Sequence, residues 1–424
     1  MDVAVKDLTE VEKEIHVHIE NEELIPYFDK AYKEYALKVE IKGFRKGKAP
    51  LHLVKTMFGE SIEYNSLDTV AGDIFRTAAN ERNVWPIGEP TLTDIDYKRG
   101  QFLTFKVKYE IRPEFELNKY KGLQFEKTIH TVTDKEIEEE ILRLKKSHST
   151  MTEAVSADDE EHVIIADVQQ IDETGNPLIG KKDPDVRIYL ASETIYPEMK
   201  ETLLKSKTGD VKRVKIEREH EGRKESHIID VTIKKVEKVL IPPFDDELVK
   251  KISKNKITGT DEFRTHLRRD IENYWHEQSD RKLTDMIMSE IVRSHEFMVP
   301  ESLVRSILDS FIDDLKNRYP EKKLPPDFNE EEYRENNKSY ALFQARWFLI
   351  REKILKTEGI AVEETDHASL AETESPKYNI EKDRLIEFYK NSKSVQERIL
   401  SEKLMLFLRQ NSKITEKHTE DFNI

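Results

Sequence analysis

Two adjacent prolines, Pro242 and Pro243, set the strongest constraint on how this chain can fold. Each fixes its own φ and lacks a backbone donor, so the stretch 241–244 is a rigid boundary that neither a helix nor a central strand crosses. The hydrophobic spacing changes at that point. Upstream, 162–171, 212–216 and 227–236 read as strands, with turns at Gly175-Asn176-Pro177 and Thr208-Gly209-Asp210. Downstream, apolar residues recur every three to four positions: Phe263, Leu267, Ile271 and Tyr274, then Leu283, Ile287 and Ile291. A chain of 424 residues also exceeds what one core organises, so several domains are expected.

The N-terminal part is mixed. Strand spacing is found at 11–19 and 102–111, and helical spacing at 22–41, 50–58 and 62–81. This predicts an α+β domain over 1–112. A connector follows at 113–152. It holds a candidate strand at 123–129 and a helix opened by the capping box Thr133-Asp134-Lys135-Glu136, with Ile137, Ile141 and Leu144 on one stripe. Residues 153–241 form the strand-rich middle domain, and 242–424 read as an all-helical domain. Within it, Pro300 opens a helix, 319–328 is a loop and 333–355 is helical. The acidic stretch 361–376 reads as a linker or hairpin tip, 380–389 and 395–408 as helices, and the tail after Lys413 as disordered.

One segment differs in charge from the rest. The chain has 85 acidic and 70 basic side chains, a net −15, yet no Asp or Glu occurs from Ile41 to Gly59. That stretch carries Lys42, Arg45, Lys46, Lys48 and Lys55, and its centre reads Gly43-Phe44-Arg45-Lys46-Gly47-Lys48-Ala49-Pro50. Gly43 and Gly47 admit backbone angles closed to other residues, and Pro50 discourages helix before it. The expectation is a shaped, exposed turn that docks on something anionic. Arg45 can make forked hydrogen bonds, while Lys46 and Lys48 act as point charges. A nucleotide phosphate loop is excluded, because the glycines are too close and Ala49 stands where Ser or Thr is required.

Composition narrows the classes further. There is no apolar run long enough to span a membrane and no apolar leader at the N terminus. The absence of Cys removes disulfides and thiol chemistry and fits a reducing, cytoplasmic setting. The thirteen His residues show no ligand spacing, so neither a metal nor another cofactor is expected.

The sequence of that loop resembles the ribosome-docking signature of bacterial trigger factors. The total length, the three-part layout and the C-terminal stretches 386–389 and 413–417 are similar to the same family. By that resemblance Phe44, Arg45 and Lys46 would contact the ribosome, with Gly43, Gly47, Lys48 and Pro50 completing the site. The partners implied are exit-tunnel protein and rRNA, together with unfolded nascent polypeptides; a weak homodimer stays open. The resemblance also implies that the helical domain projects two arms, about 300–360 and 361–415. Exposed apolar spots there, including Met286, Met288, Met298 and Met405, would hold unfolded chains without sequence preference. The leading reading is an ATP-independent chaperone that shields nascent chains.

An enzyme is the second reading. Position and pattern of 153–241 resemble an FKBP-type prolyl isomerase, which holds the X-Pro bond in a dry pocket walled by aromatic rings. From Glu126 to Pro243 the only rings of Phe, Tyr or Trp are Tyr189 and Tyr196. The family's Ile-Pro-Gly-Phe-Glu stretch stands here as Ile195-Tyr196-Pro197-Glu198-Met199, and the Phe-Pro flap is replaced by a charged run, 217–225. Tyr189, Ile195 and Tyr196 are the pocket candidates that remain, and the ring count predicts a degenerate domain serving as surface or spacer. The third reading, direct RNA binding, lacks the aromatics interleaved with basic strips that RNA modules use.

Overall fold

The structure is a computed structural model that describes residues 1–172, 174–220 and 223–420. In chain order the N-terminal elements are β1 (Asp2–Asp7), β2 (Glu12–Glu20), α1 (Asn21–Lys38), α2 (Leu51–Glu81), β3 (Ile87–Lys98) and β4 (Phe102–Glu110). Then come β5 (Gln124–His130), α3 (Asp134–Ser147), β6 (Thr150–Ala154), β7 (His162–Ile171), β8 (Pro177–Tyr189), α4 (Pro197–Leu203), β9 (Val211–His220) and β10 (Arg223–Leu240). Beyond the double proline are α5 (Asp246–Ser253), α6 (Thr260–Ser294), α7 (Glu301–Arg318), α8 (Glu330–Glu358), α9 (Glu364–Tyr378), α10 (Lys382–Asn391), α11 (Lys393–Gln410) and β11 (Lys413–Thr419). The chain packs as two compact units. One joins Met1–Lys127 to Arg281–Thr415; the other comprises Thr128–Asp280 and the segment from Glu416.

In the first unit an antiparallel sheet has the order β1-β2-β4-β3. Alternation sets its register: Ile15, Val17 and Ile19 of β2 lie opposite Val107, Phe105 and Leu103 of β4, and all six are buried. Helices α1 and α2 cover that face with Leu24, Phe28, Val54, Ile74 and Phe75. The two helical stretches expected at 50–58 and 62–81 are one helix. Gly59 lies inside it beneath the Arg99 guanidinium, whose nitrogen a Cβ there would approach to 3.0 Å.

The helical part of this unit is built on Ile287, Ile291, Ile350, Ile354, Leu404 and Leu408. Pro300 is the N-cap of α7 rather than part of its first turn. Two expectations are corrected. The stretch 361–376 is neither linker nor hairpin tip but mostly helix α9. It starts with a reciprocal cap between Glu363 and Asp366, and Ala371 packs with Leu385 and Tyr389 of α10. Within the tail Lys413–Thr419 form β11, which pairs with β5, so the C-terminal region is not wholly helical; the disorder expected for 421–424 lies outside the described residues. Alternation in β11 is weak because its residues are nearly all exposed, which is why the sequence did not announce it.

In the second unit β6-β10-β7-β8 form an antiparallel sheet, and β9 also pairs with β10. Ile164, Ala166, Val214, Val231 and Ile233 make its core. Helix α3 begins as anticipated: Thr133 Oγ1 accepts the Glu136 N–H at 3.3 Å and donates to the Glu136 carboxylate at 3.0 Å. Its buried stripe, Ile137 and Ile141, packs on Phe244, Leu267, Ile271 and Trp275. No helix among the described residues is long and apolar enough to cross a membrane.

Candidate functional site

The basic loop connects α1 to α2 as two successive turns. Phe44 N–H donates to Ile41 O at 3.0 Å and Lys48 N–H to Arg45 O at 2.9 Å. In each turn the third residue is glycine with positive φ, +97° at Gly43 and +73° at Gly47, the pattern of a type II turn. Anchors hold both ends. Ile41 is buried in the sheet–helix core, and Ala49 and Leu51 pack against it. Pro50, at φ −59°, is the N-cap of α2. Gly47 N–H reaches Val39 O at 3.4 Å, closing the base.

The result is an exposed crest carrying Phe44, Arg45, Lys46 and Lys48. Phe44 is 41 % exposed, an unusual state for a ring with core within reach. Among the described residues Lys42, Arg45, Lys46 and Lys48 have no ion-pair partner within the chain. Lys55 does not belong with them: it pairs with Asp29 at 2.5 Å and lies over the Tyr32 ring. Nothing in the local sequence marks Asp29 as its partner. Thus the seven residues singled out as the docking site lie together in one loop, whose chemistry is one ring and three free cations on rigid backbone.

A buried polar cluster, which the sequence did not reveal, stands behind this face. The Glu63 carboxylate, on α2, accepts from Tyr32 on α1, from Tyr97 at 2.7 Å and from Arg99 Nε at 2.8 Å. Burial works to raise the Glu63 pKa, but the hydrogen bonds from Tyr32, Tyr97 and Arg99 outweigh it and hold it below the ordinary value. Burial, then the bond to Glu63, pushes the Tyr32 hydroxyl up to about 12. The cluster ties α1 and the β3–β4 turn to α2, and the loop runs between those two helices.

The isomerase candidates are not brought together. Ile188 and Leu190 point into the core of the second unit, so Tyr189 between them faces the opposite side of the sheet. There it lines a cleft with Met151, Val163 and Val239, and its hydroxyl donates to Glu161. Ile195 and Tyr196 pack against the core on the other face, where Tyr196 is the N-cap of α4. Of the charged run, 221–222 lie outside the described residues; the flanking backbone pairs His220 with Arg223.

In the first unit, Met286 on α6 and Met298 in the stretch between α6 and α7 are exposed, whereas Met288 and Met405 pack against the core. A cleft of about 510 Å³ opens beside α10, lined by Tyr378, Ile380, Leu385, Phe388 and Val395.

Comparison with known proteins agrees with this architecture. Residues 1–144 match the family model described as bacterial trigger factor protein, and 260–410 match that for the trigger factor C-terminus. The chain belongs to the trigger factor family. Trigger factor of Chloroherpeton thalassium is 30 % identical over 98 % of this chain and 97 % of its own length. That of Salinibacter ruber is 29 % identical over 100 % and 96 %. A solved structure described under "Promiscuous Substrate Recognition in Folding and Assembly Activities of the Trigger Factor Chaperone" superposes with a TM-score of 0.50 and 21 % identity. It covers 97 % of this chain and 99 % of its own, and shows that the fold is that of a trigger factor.

Proposed function

We propose that this trigger factor docks on the ribosome through the loop from Gly43 to Pro50 and shields emerging polypeptides without using ATP. One observation carries the reading. Two glycine-centred turns fix Phe44, Arg45 and Lys46 on an exposed crest, free of neighbouring acids, in a chain of net charge −15. Global negative charge repels RNA along the rest of the molecule, so contact is confined to the crest. Its partners in this reading are rRNA and an exit-tunnel protein, in the cytoplasm, with a weak homodimer away from the ribosome. The division into 1–112, 113–152, 153–241 and 242–424, with arms at 300–360 and 361–415, belongs to the same proposal.

Client chains are held on dispersed apolar spots. The cleft beside α10, with Phe388 62 % exposed, is one such spot on the arms. Burial there is non-directional and weak, which allows many sequences and release without a nucleotide. The middle sheet supplies surface rather than isomerisation, because Tyr189 and the pair Ile195/Tyr196 lie on opposite faces.

Co-sedimentation of the full chain with ribosomes tests the reading. The triple variant Phe44→Ala/Arg45→Ala/Lys46→Ala is expected to lose binding while its circular dichroism is unchanged. Binding equal to that of the unaltered chain would overturn it.

A further inference from the structure

On the outer face of the middle sheet, Arg187 of β8 donates from Nη2 to the sulfur of Met151 on β6, at 3.1 Å. These two strands are the first and last in the order β6-β10-β7-β8, so one side-chain contact spans the sheet from edge to edge. Alternation and register bring the pair together. Ile188 points into the core, which turns Arg187 and Tyr189 to the outer face. Met151 lies opposite Val239 of β10, and Tyr189 opposite Val163 of β7. The two long side chains meet at a cleft of about 280 Å³ that is also lined by the buried Val163 and Val239.

The contact is weak as it stands, because a thioether is a poor acceptor. Arg187 has no firm hold elsewhere. The same Nη2 reaches Glu237 at 3.4 Å, but that carboxylate already accepts from Lys235 at 2.7 Å. Lys146 lines the cleft as well and has no ion-pair partner among the described residues. Two cations thus adjoin a sulfur that bonds them poorly. Met151 is 46 % exposed, so a small oxidant reaches it from water. No other methionine sulfur among the described residues accepts a hydrogen bond.

We propose that Met151 is a redox modification site, where hydrogen peroxide converts the thioether to a sulfoxide that latches β6 to β8 through Arg187. A sulfur lone pair attacks one peroxide oxygen. The S–O bond forms as the O–O bond breaks, and sulfur gives up two electrons. The departing hydroxide takes the proton left on the transferred oxygen and leaves as water. A poor acceptor is thereby replaced by an oxygen to which a guanidinium donates a charge-assisted hydrogen bond. Arg187 is more than half exposed and free to follow that oxygen. Methionine oxidation ordinarily loosens packing; at this position it tightens the sheet. The proposal is independent of the chaperone reading and gives the middle sheet a role other than isomerisation.

The test treats the full chain with hydrogen peroxide, follows each methionine by peptide mass spectrometry and measures amide exchange in β6 and β8. Met151 is expected to oxidise as readily as the exposed Met286 and Met298. Exchange in β6 and β8 should then slow by about threefold, and methionine sulfoxide reductase should restore the original rates. In Met151→Leu, peroxide should leave exchange in both strands unchanged. In Arg187→Leu, Met151 should still oxidise, with exchange in β6 equal to or faster than before treatment. Met151 left intact when Met286 and Met298 are converted would overturn the proposal. So would unchanged or faster exchange in the oxidised unaltered chain, or the same slowing in either variant.

Discussion

The carboxylate of Glu110, at the end of β4, accepts the N–H groups of Glu301 and Ser302, each at 2.8 Å. Pro300, the N-cap of α7, has no side-chain acceptor, so the helix takes its cap from a strand about 190 residues earlier. Ser302 returns the contact by donating to Ile87 O at 3.3 Å. A carboxylate on the first free N–H groups of a helix also complements its dipole. Glu110→Ala should therefore cost about 1 kcal/mol locally, read as roughly fivefold faster hydrogen exchange in the first turn of α7. Glu110→Gln, which keeps an acceptor without the charge, should recover part of that. Unchanged exchange at Ser302 would show that the cap contributes nothing.

The docking crest should be more sensitive at one glycine than at the other. A Cβ on Gly47 would stand 2.9 Å from Leu37 O, with φ at +73°; Gly43 has φ +97° but open space around it. Gly43→Ala meets backbone strain alone, about 1–2 kcal/mol in the left-handed region, whereas Gly47→Ala adds a clash with fixed backbone. Ribosome co-sedimentation should fall in the order unaltered chain, Gly43→Ala, Gly47→Ala. The reverse order would mean that Gly43, not the base of the loop, sets its shape.

Prolyl isomerisation should be absent or close to it. The clamp needs rings converging on one proline, and Tyr189 is committed to Glu161 on the face opposite Ile195 and Tyr196. In a protease-coupled proline-peptide assay the full chain should match the uncatalysed rate. Tyr196→Ala should lower the melting temperature of the middle sheet, with no change in that rate. A clear acceleration lost in Tyr196→Ala would show that these two faces do not divide the site.

How much was legible follows from where burial leaves a mark in the sequence. The loop was legible because its glycines, proline and missing acids are local. Strands β2 and β4 were legible because one face of each is buried, giving alternation. β1, β3 and β8 were not anticipated as strands: they lie at sheet edges and bury few residues, so alternation fades. Helix α9 was misread because it buries only His367 and Ala371 fully and begins with a Glu363–Asp366 cap in place of Ser or Thr. The Glu63 cluster was invisible because Tyr32, Glu63, Tyr97 and Arg99 come from three separate stretches. Polar residues in a helix or strand read as surface until the fold brings their partners to them.

That cluster gives the N-terminal sheet and its helices a specific acid sensitivity. Glu63 is 8 % exposed and accepts four hydrogen bonds, from Tyr32, Tyr97 and, twice, Arg99. Its folded pKa is held below the ordinary 4.5 despite burial. A depressed carboxylate pKa contributes stability that is fully present above the unfolded value and is lost as pH falls through the folded one. Amide exchange in the middle of α2, corrected for intrinsic rates, should therefore be steady near neutrality and accelerate as pH drops below about 4.5. Glu63→Gln should show the opposite profile: weaker protection at neutral pH, by about 2 kcal/mol, and a flatter fall on acidification. The estimate sits low in the range for charged hydrogen bonds because Arg99 is half exposed and partly screened by water. If the variant and the unaltered chain lose protection in parallel below pH 4.5, another carboxylate controls acid unfolding of this part of the chain.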